Sequence, residues 1–256
     1  MSHKVAAKPN DRMRFPSKQM DMNLRWCSGV LKIDVANKVL RELYPIDKED
    51  PFKVLFITGE RSEESPKRAK YERIQPHVTS SKAKSKPGRI VHQWRPIHNW
   101  KEQKVWEIMK KYRIKPHPVY ELGFPRLSCR SCIYFSKDHW TTLNDVAPKS
   151  IKELTQSELE FKKFHERKQK QTGETGKVVW KLDNKLTIPE MVNEGDSLIT
   201  DKNKKYIKEA MSAYKQRVVS NTLDDWYLPD GAFRKGGGNL YGFGTTKGNM
   251  DTYGCY

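Results

Sequence analysis

No stretch of the 256-residue sequence stays apolar long enough to span a bilayer, and its N-terminus carries no signal-peptide apolar region. These absences predict a soluble, cytoplasmic protein. Cysteine is scarce: four residues, two of them in a C-x-x-C pair, argue against a disulfide scaffold and for metal, cluster or redox use. Hydrophobic residues make up only 36% against 31% charged, so part of the chain is expected as extended or helical surface rather than core. There is no internal repeat and no recognition-helix, zinc-finger or RNA-binding-sheet motif, which removes the usual modes of reading base sequence.

What is present is positive charge. Lysine and arginine number 49 against 31 acidic residues, a net charge of +18. A solvated lysine surface accounts for this, and so does a polyanionic partner, because each neutralised phosphate releases counterions. Nucleic acid is therefore a candidate partner.

The order of segments predicts an α/β core with a mainly helical, basic C-terminal extension. Residues 1–14 form a flexible basic lead-in and 15–148 the core. Residues 149–230 are a charged helical extension, and 231–256 a glycine- and aromatic-rich tail. In the core, Trp26 to Leu43 reads as an amphipathic helix with Val30, Leu31, Val35, Val39 and Leu40 as its apolar stripe. Phe52 to Ile57 reads as a buried parallel strand, and the loop from Thr58 then lies at a carboxyl strand end, where α/β sheets bind ligands. A helix from Glu63 to Arg73, a strand from Arg89 to Trp94 and a helix from Trp100 to Arg113 are expected to follow. Further on, Ile151 to Lys170 is expected as a helix anchored by Leu154, Leu159, Phe161 and Phe164, and Lys202 to Val219 as another.

Two constellations carry candidate chemistry. Cys129 and Cys132 can present two sulfurs from one tight loop, and Cys27 is delivered by a helix start that favours thiolate. Three thiolates with an open position suit a [4Fe-4S] cluster; zinc with a fourth ligand is the alternative, and three unrelated reduced thiols are the bland reading. Cys255 stands apart as a tail thiol. The second constellation is Thr58 to Arg68. Gly59 permits a sharp turn, Arg61 and Arg68 can grip anionic oxygens, Ser65 can donate at a helix start, and Glu64 can orient an arginine. A solvent-exposed salt-bridge cluster is the competing account of that loop. His92, His98 and His117 sit near strand or loop ends, but none has an evident carboxylate partner in the sequence. Gly236 to Gly238 lacks the context of a phosphate loop.

The series Arg25-Trp26-Cys27-Ser28, then Thr58-Gly59-x-Arg61-x-x-Glu64-Ser65-x-x-Arg68, then Trp94-x-Pro96-Ile97 with Trp100 and Trp106, is a recognisable one. It ends in Gly123-x-x-Arg126-Leu127-x-Cys129-x-x-Cys132. This order resembles the phosphoadenosine phosphosulfate reductase family over about Phe15 to Pro148. The likeness is to its phage and prophage members and to the related DNA phosphorothioation sulfurtransferases.

The resemblance implies a Rossmann-like, adenine nucleotide α-hydrolase fold, an adenine nucleotide substrate at the loop Gly59 to Arg68, and Cys27, Cys129 and Cys132 as cluster ligands. Trp26 stands where cluster-bearing members carry a further cysteine, so three protein ligands are expected rather than four. The family's Ser-Gly-Gly-Lys-Asp-Ser type pyrophosphate loop is missing. This predicts a partial fold completed by a partner chain or a second copy. Two functions follow as expectations: a reductase or sulfurtransferase acting with a partner, or a non-catalytic, phage-encoded binding or assembly protein.

Overall fold

The computed structural model describes residues 13–16, 26–47, 50–81, 88–127, 129–173, 181–183, 185–212 and 226–233. It is a mixed α/β structure that divides into two compact units. One comprises Met1–Arg12, Gln19–Lys115 and Arg217–Leu228; the other comprises Met13–Lys18, Pro116–Gln216 and Pro229–Tyr256.

In the first unit the expected opening helix is present but re-phased. Helix α1 (Trp26–Ser28) runs through a π-helical turn at Gly29–Ile33 into α2 (Asp34–Leu43). The wider turn inserts a residue into the periodicity, which shears the predicted apolar stripe. Leu31 and Ile33 are consequently exposed, and Leu40 is the side chain that α2 buries.

Strands β1 (Phe52–Ile57), β2 (Ile74–Pro76) and β3 (Arg89–Trp94) form one sheet in the order β1-β3-β2. β1 and β3 pair in parallel from Phe52 opposite Arg89 to Ile57 opposite Trp94, while β2 pairs antiparallel to β3. β1 and β3 have the predicted boundaries, but β1 is not a buried strand. Leu55 and Ile57 are more than half exposed, whereas Val91 on β3 is fully buried. The sheet is closed on the face of Val54, Phe56 and Val91. Arg89 ties that side together, donating from Nε to the Thr79 carbonyl at 2.8 Å and from Nη1 to the Tyr44 carbonyl at 2.6 Å.

The predicted helix from Glu63 to Arg73 is instead a 3-10 turn at Ser62–Glu64 and a short α3 (Pro66–Ala69). Pro66 is the cause: the residue before a proline is pushed out of the helical region, and Ser65 is extended at φ −173°, ψ 154°. Helix α4 (Glu102–Lys111) follows β3 and buries Trp106, whose indole donates to Glu102 at 3.2 Å.

The second unit is helical: α5 (Pro118–Glu121), α6 (Lys137–Val146), α7 (Pro148–Thr172), α8 (Ile188–Asn193) and α9 (Tyr206–Met211). Its core gathers Leu122, Phe124, Phe135, Trp140, Leu143, Ile151, Ile188 and Met191. Helix α7 fits the predicted span with a few residues added, and stops where Gly173 turns left-handed at φ 69°. Of its four predicted anchors, Leu159 and Phe164 are exposed, at 48% and 39%. Gly231 is a position of close backbone approach: a Cβ there would lie 2.3 Å from the Phe124 carbonyl oxygen. The predicted helix from Lys202 is shorter in its described part, α9, and residues 213–219 lie outside the described residues. So do 1–12, Gly236 to Gly238 and Cys255.

Candidate functional site

Two parallel neighbouring strands, β1 and β3, deliver their carboxyl ends side by side, and the chain after each becomes the floor of the candidate site. After β1, the Thr58 amide continues the ladder to the Trp94 carbonyl at 2.9 Å. Its hydroxyl donates to Glu60 at 3.1 Å, and Gln93 donates to both Thr58 (3.1 Å) and Glu60 (3.3 Å). Arg95, buried at 2% exposure, closes this network. Its Nε meets Glu60 Oε2 at 2.5 Å, Nη1 donates to the Glu72 carbonyl at 2.8 Å, and the guanidinium lies 4.7 Å from the Tyr71 ring centre. A buried cation with ionic, carbonyl and aromatic partners rigidifies the base of the loop. The sequence reading missed Arg95 and Glu60; the signal was an arginine at the end of a strand, directly before Pro96.

Above this base, Arg61 caps the 3-10 turn. Its guanidinium donates to Glu63 at 2.8 Å and its amide to Glu64 at 3.3 Å. Glu63 also takes the Glu102 amide at 2.7 Å, which anchors the start of α4. Arg68 pairs through Nη1 with Glu64, and its amide is capped by the Ser65 hydroxyl at 3.2 Å. His98, 5% exposed, lies between these pieces. Its Nε2 contacts the Arg68 carbonyl at 2.9 Å, and its own carbonyl accepts the Ser62 amide at 2.8 Å. That bond places the proton on Nε2 and gives His98 a structural role.

The five predicted anion-loop residues are thus brought onto one loop, with different parts to play. The Arg61 side chain is 13% exposed and engaged with two glutamates; the Arg68 side chain is 44% exposed. Gly59 is not there for a sharp turn. Its φ is not positive, and an added Cβ would meet only Ile97 at 3.8 Å, so it leaves room above the strand end. Nearby, His77 is held below its usual pKa by burial and then by the charges of Arg41 and Arg95, a sign that the region's field is positive. His92 is exposed on the open side of the sheet, and His117 caps α5 by accepting the Val119 amide at 3.2 Å.

The three described cysteines form no disulfide and are divided between the two units. Cys27 is half-buried at the start of α1; Cys129 is half-buried and Cys132 buried in the turn before α6. Arg126 reaches the Cys132 sulfur at 3.8 Å and lies 5.7 Å from the Tyr134 ring centre. Among the described residues, no group of three His, Cys, Asp or Glu side chains is gathered that could hold a metal ion.

The family model described as phosphoadenosine phosphosulfate reductase domain matches residues 2–134, just over half of the 256. The chain belongs to this family. The matched span takes in Cys27, the loop Gly59 to Arg68 and both Cys129 and Cys132, and it ends at Tyr134, before α6. Helices α6 to α9 therefore lie beyond the matched span. A curated relative, an uncharacterized 37.8 kDa protein in the gpa 5' region of Escherichia phage 186, is 33% identical over 146 residues. That alignment covers 57% of this chain and 39% of the phage protein, so the chain spans about two fifths of its relative's length. No solved structure matches the chain.

Proposed function

We propose that the chain is a reductase- or sulfurtransferase-like protein acting on an adenylylated or phosphosulfate-type substrate. The observation that carries this reading is the place of Arg68. It stands on the loop leaving the carboxyl end of β1, oriented by Glu64 and half exposed, with N–H donors left over for an anionic oxygen. Arg61 shapes the loop, Ser65 holds its turn, and Gly59 leaves the space a nucleotide's phosphate needs.

The family's pyrophosphate loop does not occur in these 256 residues, and in this reading another polypeptide stretch supplies it, on a partner chain or a second copy. The sheet supports that view. Lys53, Leu55, Ile57, Ile74, Pro76, Ile90, His92 and Trp94 share one face by register, and most of them are open to solvent. Parallel strands are ordinarily covered on both faces. A Rossmann-like completion of the sheet and a cytoplasmic location go with this proposal; among the described residues no helix is long and apolar enough to cross a membrane. Cys27, Cys129 and Cys132 remain the proposed thiolate ligands of an iron–sulfur cluster, or of zinc, on the strength of spacing and family likeness.

A second reading, a non-catalytic binding or assembly protein, is favoured by one observation. Glu60, Glu63 and Glu64 already engage Arg95, Arg61 and Arg68 within the loop. Calorimetric titration with adenosine phosphosulfate and its 3'-phosphorylated form, with and without the companion chain, separates the two. In the first reading nucleotide binds, and Arg68→Ala weakens binding roughly 10- to 100-fold, the worth of a charge-assisted hydrogen bond. Unchanged affinity in that variant removes Arg68 from the site. No nucleotide uptake under either condition leaves the assembly reading.

A further inference from the structure

The second half of α7 carries more charge than its packing requires. Up to Glu158 the helix is seated, with Ile151 and Glu158 buried. From Lys162 onward its side chains are exposed, apart from His165. The inward side of this half is already occupied: Phe161 meets Phe15 edge-on at 5.0 Å, and His165 Nε2 reaches the Met13 carbonyl at 2.9 Å.

The outward side is cationic. Lys163, Arg167 and Lys170 recur at i, i+4 and i+7, one stripe of an α-helix, while the part-exposed ring of Phe164 and the exposed Lys168 lie farther round the helix. Lys162 pairs with Glu166 on the adjoining face, but among the described residues none of Lys163, Arg167, Lys168 and Lys170 is ion-paired. Arg167 Nε donates to the Lys163 carbonyl at 3.2 Å, which holds its guanidinium along the stripe. Three unneutralised cations along one stripe repel one another, an arrangement that an anionic partner relieves.

We infer that this stripe is a docking surface for the phosphate backbone of nucleic acid. From Lys163 to Lys170 the helix rises about 10 Å, the axial length over which one strand of a duplex presents about three phosphates. The partner is polyanionic rather than membranous, because the exposed apolar side chains of this half of the helix, Leu159 and Phe164, are five residues apart and fall on different sides of it, while Phe161 is covered by Phe15, so no continuous apolar face is available to enter a bilayer. Binding through phosphates is insensitive to base sequence. The inference does not depend on the nucleotide chemistry proposed above, since α7 lies beyond the reductase-family match.

The test is fluorescence anisotropy of the full chain with labelled duplex and single-stranded oligonucleotides across a salt series. Three phosphate contacts predict a log–log slope near −2.7 on duplex and about a 40-fold loss of affinity between 50 and 200 mM salt. Reversing the stripe (K163E, R167E and K170E together) should flatten that slope by about 2.7. A matched reversal on α4 (K104E, K110E and K111E), with the same change in net charge, should leave the contact-specific part intact. Equal losses in both triple variants overturn the inference, since they would mean diffuse attraction to a +18 protein. Binding to anionic phosphatidylserine vesicles with none to oligonucleotides also overturns it. Circular dichroism of both variants excludes unfolding as the source of a loss.

Discussion

Glu158 is 3% exposed and faces inward from α7, where one oxygen accepts the Leu182 amide at 3.4 Å and the other the Ile188 amide at 2.9 Å. Burial raises its pKa above the usual carboxylate value, against the lowering influence of those two amides. A raised folded-state pKa means that the folded form holds its proton more tightly than the unfolded chain. The stability from this group is therefore fully present below the unfolded value of 4.5 and is lost as pH rises through the folded value. Glu158→Gln does not titrate, so the stability of wild type relative to this variant should fall as pH rises above 4.5, as read by urea denaturation at a series of pH values. A difference that stays flat, or grows with pH, contradicts the assignment. Glu158→Leu leaves two buried amides unpaired and should cost about 1–3 kcal/mol for each. Arg61 and Arg68 show the limit of sequence reading at this scale. Their spacing and glycine-led loop placed them together, but only the positions of Glu63 and Glu64 show that Arg61 is enclosed while Arg68 remains half exposed.

At the scale of elements, β1 and β3 were legible because each is a short run of strand-forming residues stopped by a strong breaker, Thr58-Gly59 and Arg95-Pro96. The burial of β1 was not legible, since an apolar run looks the same whether or not something covers it. The π turn after Cys27 was equally hidden, because the apolar spacing there fits a regular helix. Helix α6 escaped notice because its residues, from Lys137 to Val146, mix polar and apolar types, and its Ser136–His139 capping box uses a histidine in place of glutamate. The turn holding Cys129 and Cys132 gives a test at this scale. In the metal-free chain the half-buried Cys129 should react with iodoacetamide well before the buried Cys132, as followed by peptide mass spectrometry. Equal rates would mean that the turn opens as a unit. Slow reaction of both thiols in protein prepared with iron or zinc, reversed by a chelator, would support them as ligands.

For the whole molecule, membership of the reductase family rests on one half of the chain, and most of the sequence-level clues to chemistry lie in that half. The other half holds the long basic helix. Its surface charge was visible in composition, but its gathering into a stripe needed the helix phase and the contact of Phe15 with Phe161. The unclothed side of the sheet has a consequence for the protein as a material. Lys53, Leu55, Ile74 and Ile90 line a groove of about 480 Å³ beside a strand edge that is unpaired among the described residues. Such an edge is a template for like edges. A solitary chain should therefore associate reversibly with itself through this edge in the micromolar range. Sedimentation velocity of the wild type should show a mass that grows with concentration. Leu55→Lys should stay monomeric under the same conditions, and a wild type that stays monomeric throughout would show that this side of the sheet is already clothed. How long the chain keeps in solution would then depend on how concentrated it becomes.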